Sequence, residues 1–139
     1  MTPRIYHIVH VDRLSRILAD DGLCSDAIVT EKELGHPIIG MSRIKERRLY
    51  ELTFSTYPDL RVGQCVPFYF CPRSVMLYMI HKGNHPDLTY RGGQEPIVHL
   101  ELDVGRVMAW AEAHDLRWVF TTTNAGSRFF LDYADRDRL

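Results

Sequence analysis

The chain has 139 residues, 45% of them apolar and 25% charged, which suits one globular domain around one core. No apolar run approaches the roughly 18 residues of a membrane span, and "MTPRIYHIVH" lacks the charged-then-apolar layout of a secretory signal, so a cytoplasmic protein without membrane contact is expected. A net charge of −1 gives no overall basic surface for nucleic acid, and the three cysteines (Cys24, Cys65, Cys71) are odd in number and lack metal-knuckle spacing, so they read as free thiols.

In chain order, residues 4–10 alternate as a strand, with Ile5, His7 and Val9 on one side and Tyr6, Ile8 and His10 on the other. Residues 11–22 predict a helix with Asp12 as N-cap, Leu14, Ile17 and Leu18 as its apolar stripe and Gly22 as its left-handed stop. Residues 24–40, broken at Gly35-His36-Pro37, read as mostly loop. A second helix is predicted over 41–52 with Ser42 as its cap, followed by an irregular stretch over 54–65. "VPFYFC" predicts a buried strand over 66–71, then a Pro-Arg-Ser turn and a helix over 74–82, capped by Ser74 and stopped by Gly83. A turn-rich loop fills 81–96, and "IVHLELD" (97–103) is the cleanest strand pattern. Asp103 is placed to cap a helix over 104–114 with the stripe Val104, Val107, Met108 and Ala111. A strand over 117–121, the loop "TTNAGS" and a short strand over 128–131 complete the order, which implies an α+β or α/β fold.

Several residues sit uneasily in this pattern. Arg48 falls on the helix face of Met41, Ile44 and Leu52, while Arg47 projects with Arg43 to the other side. A guanidinium among apolar neighbours is expensive unless paired. Periodicity alone favours a salt bridge or a snorkelling stem over an arginine aimed into a cleft. His7 lies mid-strand between two apolar residues, where a satisfied core histidine is the more frequent outcome. "SRIKERR" (42–48) and the C-terminal Arg117, Arg128, Arg136 and Arg138 read, on charge alone, as solvated surface. His81 and His85 have metal-pair spacing, but Gly83 and Pro86 break the helix that would align them, so no metal is expected. No Gly-rich phosphate loop and no G-x-S-x-G elbow is present. Gln94 and Glu95 read as a turn.

Taken together, "IYHIVHVDRLSRIL", "SRIKERR", "VPFYFCPRSVMLY", "YRGGQEPIVHL" and "WVFTTTNA" resemble, in order and spacing, the DarT-type DNA ADP-ribosyltransferase toxins over nearly the whole chain. The resemblance implies a single-domain α+β fold of the ADP-ribosyltransferase type, a split mixed β-sheet with flanking helices and an NAD-binding cleft. It implies NAD as co-substrate, single-stranded DNA as acceptor with thymine as the modified base, and a macrodomain-type antitoxin as partner. His7, Ile8 and Val9 match the first-strand element that holds NAD, and Cys24 falls at another NAD-contacting position, where leucine is common. Arg48 matches the arginine that contacts NAD and helps to deprotonate the base, and is the catalytic candidate. Tyr69 and Tyr78 resemble the two tyrosines that line the nicotinamide pocket, although their spacing differs. On this reading Ser74 and the helix start close one side of the pocket, and Arg73 faces a phosphate or ribose. The loop 123–128, with Asn124 and Arg128, corresponds to the loop that reads the target base.

One departure matters. The family's ribose-gripping glutamate is expected C-terminal to this region, and none of Glu31, Glu33, Glu46, Glu51, Glu95, Glu101 or Glu112 occupies its place. The chain therefore reads as the N-terminal part of such a transferase, weakly NAD-binding and nearly inactive alone, with exposed sheet edges that favour self-association. A non-catalytic NAD- and DNA-binding module or decoy is the alternative.

Overall fold

A computed structural model of the chain describes residues 2–32 and 42–139. The expected breaker at Gly35-His36-Pro37 lies outside them, as do Glu33, Met41 and the side chain of Ser42.

The frame is an antiparallel pair, β1 (Arg4–His10) and β2 (Ile97–Asp103), in a register running from Arg4 opposite Asp103 to His10 opposite Ile97. Both strands have the predicted bounds. Strict alternation gives β1 two working faces. Ile8 packs with Ile80 and Leu88 on one, and Ile5 packs with Val104 and Met108 on the other. Helix α5 (Val104–Ala113) covers the second face with the predicted stripe and starts where Asp103 Oδ1 accepts from the Arg106 N–H at 3.0 Å. Helix α4 (Val75–Lys82) covers the first. Ser74 Oγ accepts from the Leu77 N–H at 3.1 Å, and Gly83 ends the helix at φ +62°, a conformation open to glycine at little cost.

Four expectations are corrected. The helix expected over 11–22 is a 3-10 turn, Val11–Arg13, followed by a short α1 (Leu14–Ala19). Its cap is the His10 ring, which accepts from the Asp12 N–H, and the left-handed residue at its end is Asp21 (φ 56°) rather than Gly22. Leu18 points to solvent at 80% exposure, so the stripe is narrower than expected. Second, the stretch 24–40 contains α2 (Asp26–Glu31), started by Ser25, whose Oγ accepts from the Ile28 N–H. Third, the strand expected over 66–71 is one antiparallel bridge, with Tyr69 and Tyr6 exchanging two 2.8 Å hydrogen bonds. Pro67 and Pro72 have no N–H to extend it.

Fourth, the C-terminal hairpin lies further along the chain. Its strands are β3 (Phe120–Thr121) and β4 (Asp132–Tyr133), with the Thr122 N–H bonded to the Leu131 carbonyl at 3.0 Å. Asp132 sets this register. Its buried carboxylate accepts from the Ser55 and Thr56 N–H groups, both at 2.8 Å, tying the hairpin to a distant loop. Between them, α3 (Ser42–Tyr50) packs on α2 and on the 3-10 turn Val62–Gln64.

Candidate functional site

Strand β1 carries His7 at its centre, opposite Leu100. The His7 Nδ1 lies 2.7 Å from the Pro67 carbonyl, which can only accept, so Nδ1–H donates and the neutral ring keeps Nε2 as an acceptor. Burial pushes the His7 pKa below its ordinary value; the Pro67 hydrogen bond and the Asp26 charge pull upward without reversing it. Phe68 lies against the ring, with centroids 5.7 Å apart. Ile8 and Val9 are buried in the core, which leaves their backbone for any ligand contact.

Helix α3 supplies the charge. Arg48 and Lys45, one turn apart on the same face, both meet Asp26 of α2: Lys45 Nζ donates to Oδ1 at 3.4 Å, and Arg48 Nη2 lies 3.7 Å from Oδ2. The Arg48 side chain is only 15% exposed, and its Nε is buried with no hydrogen-bond partner among the described residues. An unfilled donor on a desolvated cation calls for an acceptor. Burial also pushes the Lys45 pKa down, against the pull of Asp26. Tyr69, bridged to β1, has its hydroxyl pKa raised by burial, and the Arg48 charge acts on it in the opposite direction. Cys65 is in the same situation, raised by burial and pulled down by Arg117 and Arg48. The Asp26 and Lys45 charges thus act on His7, and the Arg48 charge acts on Tyr69.

The remaining candidates are placed as follows. Cys24 is half-buried immediately before Ser25. Ser74 is buried and its hydroxyl is engaged in the α4 cap. Arg73 is exposed, and Tyr78 is 57% exposed with Lys82 Nζ 5.7 Å from its ring centroid. Asn124 and Arg128 are exposed at the tip of the β3–β4 hairpin. That tip rests on α3: a Cβ on buried Gly126 would come within 2.7 Å of Ile44 Cγ2, so only glycine allows the approach. A separate depression of about 210 Å³, lined by residues including Phe70, Phe120 and Thr122, involves none of the predicted site residues.

Sequence reasoning missed Asp26 and Lys45. The signals were present: a Ser-Asp pair able to start a helix, and a lysine three residues before Arg48 on its face.

A family profile described as "ssDNA thymidine ADP-ribosyltransferase, DarT" matches residues 6–139. The chain belongs to the DarT family. It is 42% identical over 96 residues to the DNA ADP-ribosyl transferase of Thermus sp. (strain 2.9), covering 69% of this chain and 43% of that protein. It is 35% identical over 127 residues to that of Thermus aquaticus, covering 90% and 51%. The Mycobacterium tuberculosis protein of the same name is 31% identical, covering 90% and 50%. The chain spans about half the length of the curated DarT relatives it matches.

The solved structure of Thermus sp. 2.9 DarT in complex with ADP-ribosylated ssDNA aligns with a TM-score of 0.77 at 30% identity, covering 99% of this chain and 60% of that one. The complex of the same protein with NAD+ aligns at 0.72 and 28% identity, with the same coverage of 99% and 60%. The expected α+β fold is therefore that of the DarT structures. Among the described residues no helix is long and apolar enough to cross a membrane.

Proposed function

We propose that this chain forms the NAD-contacting and DNA-facing part of an NAD-dependent ADP-ribosyltransferase that modifies a base, thymine, in single-stranded DNA. The observation that carries the reading is the DarT match over residues 6–139. The Arg48 Nε, unfilled among the described residues, supports it, because a buried guanidinium with a free donor suits an anionic ligand.

Breaking the nicotinamide–ribose bond of NAD builds positive charge on the ribose while nicotinamide leaves with the bonding electrons. His7 of β1, Tyr69 beside it and Arg48 of α3 orient the dinucleotide and exclude water from it. The His7 Nε2 accepts from a ribose hydroxyl, and the half-buried ring of Tyr69 lies along the nicotinamide. Arg48 carries N–H donors and no acceptor, so it is no ordinary base. Its role is to stabilise the anion left when the thymine ring nitrogen loses its proton. Ile8 and Val9 contribute backbone contacts, Cys24 closes the adenine side, and Arg73, the Ser74 helix start and Tyr78 approach from the exposed side. Asn124 and Arg128 meet the DNA.

A second reading, an NAD- and DNA-binding module with little transfer activity, is favoured by one observation: every described glutamate is exposed, so none joins the Arg48 group. Under either reading we propose a cytoplasmic, single-domain protein with a macrodomain-type antitoxin partner and self-association through its sheet edges.

Two measurements test this. Calorimetric titration with NAD+ should give binding that Arg48→Ala weakens at least about tenfold, the scale of a lost charged hydrogen bond. Incubation with NAD+ and a thymidine-containing oligonucleotide, read by mass spectrometry, separates the readings. Addition of one ADP-ribose supports the transferase, and binding without addition supports the module. Absence of NAD+ binding sinks both.

A further inference from the structure

We propose that Asp26 is a positioning residue, a carboxylate that restrains Lys45 and Arg48 together and so presents the Arg48 guanidinium to the dinucleotide; the proposal rests on the NAD-contacting reading above.

Asp26 is the first residue of α2, and its place is fixed from behind. The buried Ser25 before it starts the helix, with Oγ accepting from the Ile28 N–H at 3.4 Å. From there the carboxylate divides between two cations of α3. Oδ1 accepts from Lys45 Nζ at 3.4 Å, and Oδ2 lies 3.7 Å from Arg48 Nη2. One carboxylate against two cations leaves the group net positive.

The contact lengths argue against a plain clasp between two helices. Where this chain joins one cation to one carboxylate on its surface, the pair closes: Arg117 Nη1 lies 2.9 Å from Asp59 Oδ2, and Arg136 Nη2 lies 2.7 Å from Glu112 Oε2. The Asp26 group is less exposed than either, and burial strengthens attraction. Its longer distances fit a carboxylate pulled two ways. Shared like this, Asp26 restrains both cations and saturates neither, and Arg48 Nε keeps no partner among the described residues.

The restraint matters because an arginine side chain has many rotamers, and those frozen in advance need not be frozen by the ligand. Without Asp26, Lys45 and Arg48 are like charges one turn apart on a helix, which repel. Asp26 also reaches β1. Among the charged groups acting on His7, whose titration burial dominates, Asp26 acts most strongly. One carboxylate therefore acts on both the imidazole and the guanidinium.

The test is calorimetric titration of the 139-residue chain with NAD+, beside thermal melting and 15N spectra of the arginine Nε–H groups. Asp26→Asn, which keeps the volume and loses the charge, should weaken binding about tenfold, while Asp26→Glu, which keeps the charge, should stay within about threefold of wild type. The Nε–H resonance that Arg48→Ala removes should be sharp in the wild type and in Asp26→Glu, and broadened in Asp26→Asn. If Asp26→Asn binds NAD+ as well as wild type or more tightly, Asp26 only balances charge; the proposal is overturned and the NAD-contacting reading survives. If Asp26→Glu weakens binding as much as Asp26→Asn, or if either variant loses its cooperative melt, Asp26 is a strut of the fold and the proposal is overturned. If the wild-type chain does not bind NAD+, the reading fails and takes the positioning role with it.

Discussion

The β1–β2 frame and the α2–α3 wall solve opposite problems. The frame buries apolar side chains, Ile5, Ile8, Val104 and Met108, and its polar groups are a helix cap at Asp103, the His7 bond to the Pro67 carbonyl and an exposed Arg4–Glu101 pair. The wall half-buries three charged groups, Asp26, Lys45 and Arg48, and leaves one guanidinium nitrogen without a partner among the described residues. Apolar burial stabilises at about 1.5–3 kcal/mol per side chain, whereas a buried ion pair often does no better than the hydrophobic residues that would replace it. The wall is therefore poor scaffolding, which agrees with the ligand-facing role proposed above.

The difference can be broken at either end. The largest effect belongs to the frame: Ile80→Ala, at a residue 1% exposed, should destabilise by about 2–5 kcal/mol in denaturant unfolding. At the outer clasp, Asp132→Ala leaves the Ser55 and Thr56 N–H groups without their acceptor and should lose about 1–3 kcal/mol by the same measurement. In the wall, Arg48→Met leaves Asp26 its Lys45 partner, so it should cost less stability than Ile80→Ala in the same denaturant unfolding, yet it should remove NAD+ binding in calorimetry. Loss of fold in that variant would make Arg48 a structural residue.

The smallest effect is a pH dependence. His7 titrates below its ordinary 6.5 in the fold because burial disfavours the imidazolium. As pH falls through 6.5 the unfolded chain takes up a proton that the folded chain refuses, so stability declines from there down to the folded value and no further. Asp132 acts in a separate window. Burial alone would raise its pKa, but hydrogen bonds from Thr56 and Ser55 outweigh that and hold it below 3.8, so its contribution is lost only in stronger acid. His7→Phe should flatten the first limb of a pH–melting curve and leave the second.

The same contrast explains what the sequence made legible. In the frame, alternation and caps are local signals, so the bounds of β2, the Ser74 and Asp103 caps and the Gly83 stop were all readable. In the wall, the deciding contacts are long-range. Nothing local to Arg48 indicates that Asp26 will meet it, and periodicity favoured an ion pair or snorkelling without naming the partner. Tyr69 has the β-propensity of a strand, but prolines on both sides confine it to a single bridge. The C-terminal hairpin was displaced from its expected position because Asp132 is claimed by a loop more than seventy residues away. The family resemblance, carried by ordered motifs rather than by periodicity, named His7, Tyr69 and Arg48 as expectations, and it named neither Asp26 nor Lys45.

Arg47 precedes Arg48 on α3, and successive residues of a helix differ by about 100° in direction. A one-residue insertion ahead of the pair would swing Arg48 away from Asp26 and bring Arg47 round to the vacated direction. The doublet therefore makes the wall tolerant of a slip in helical phase, which a single arginine would not survive.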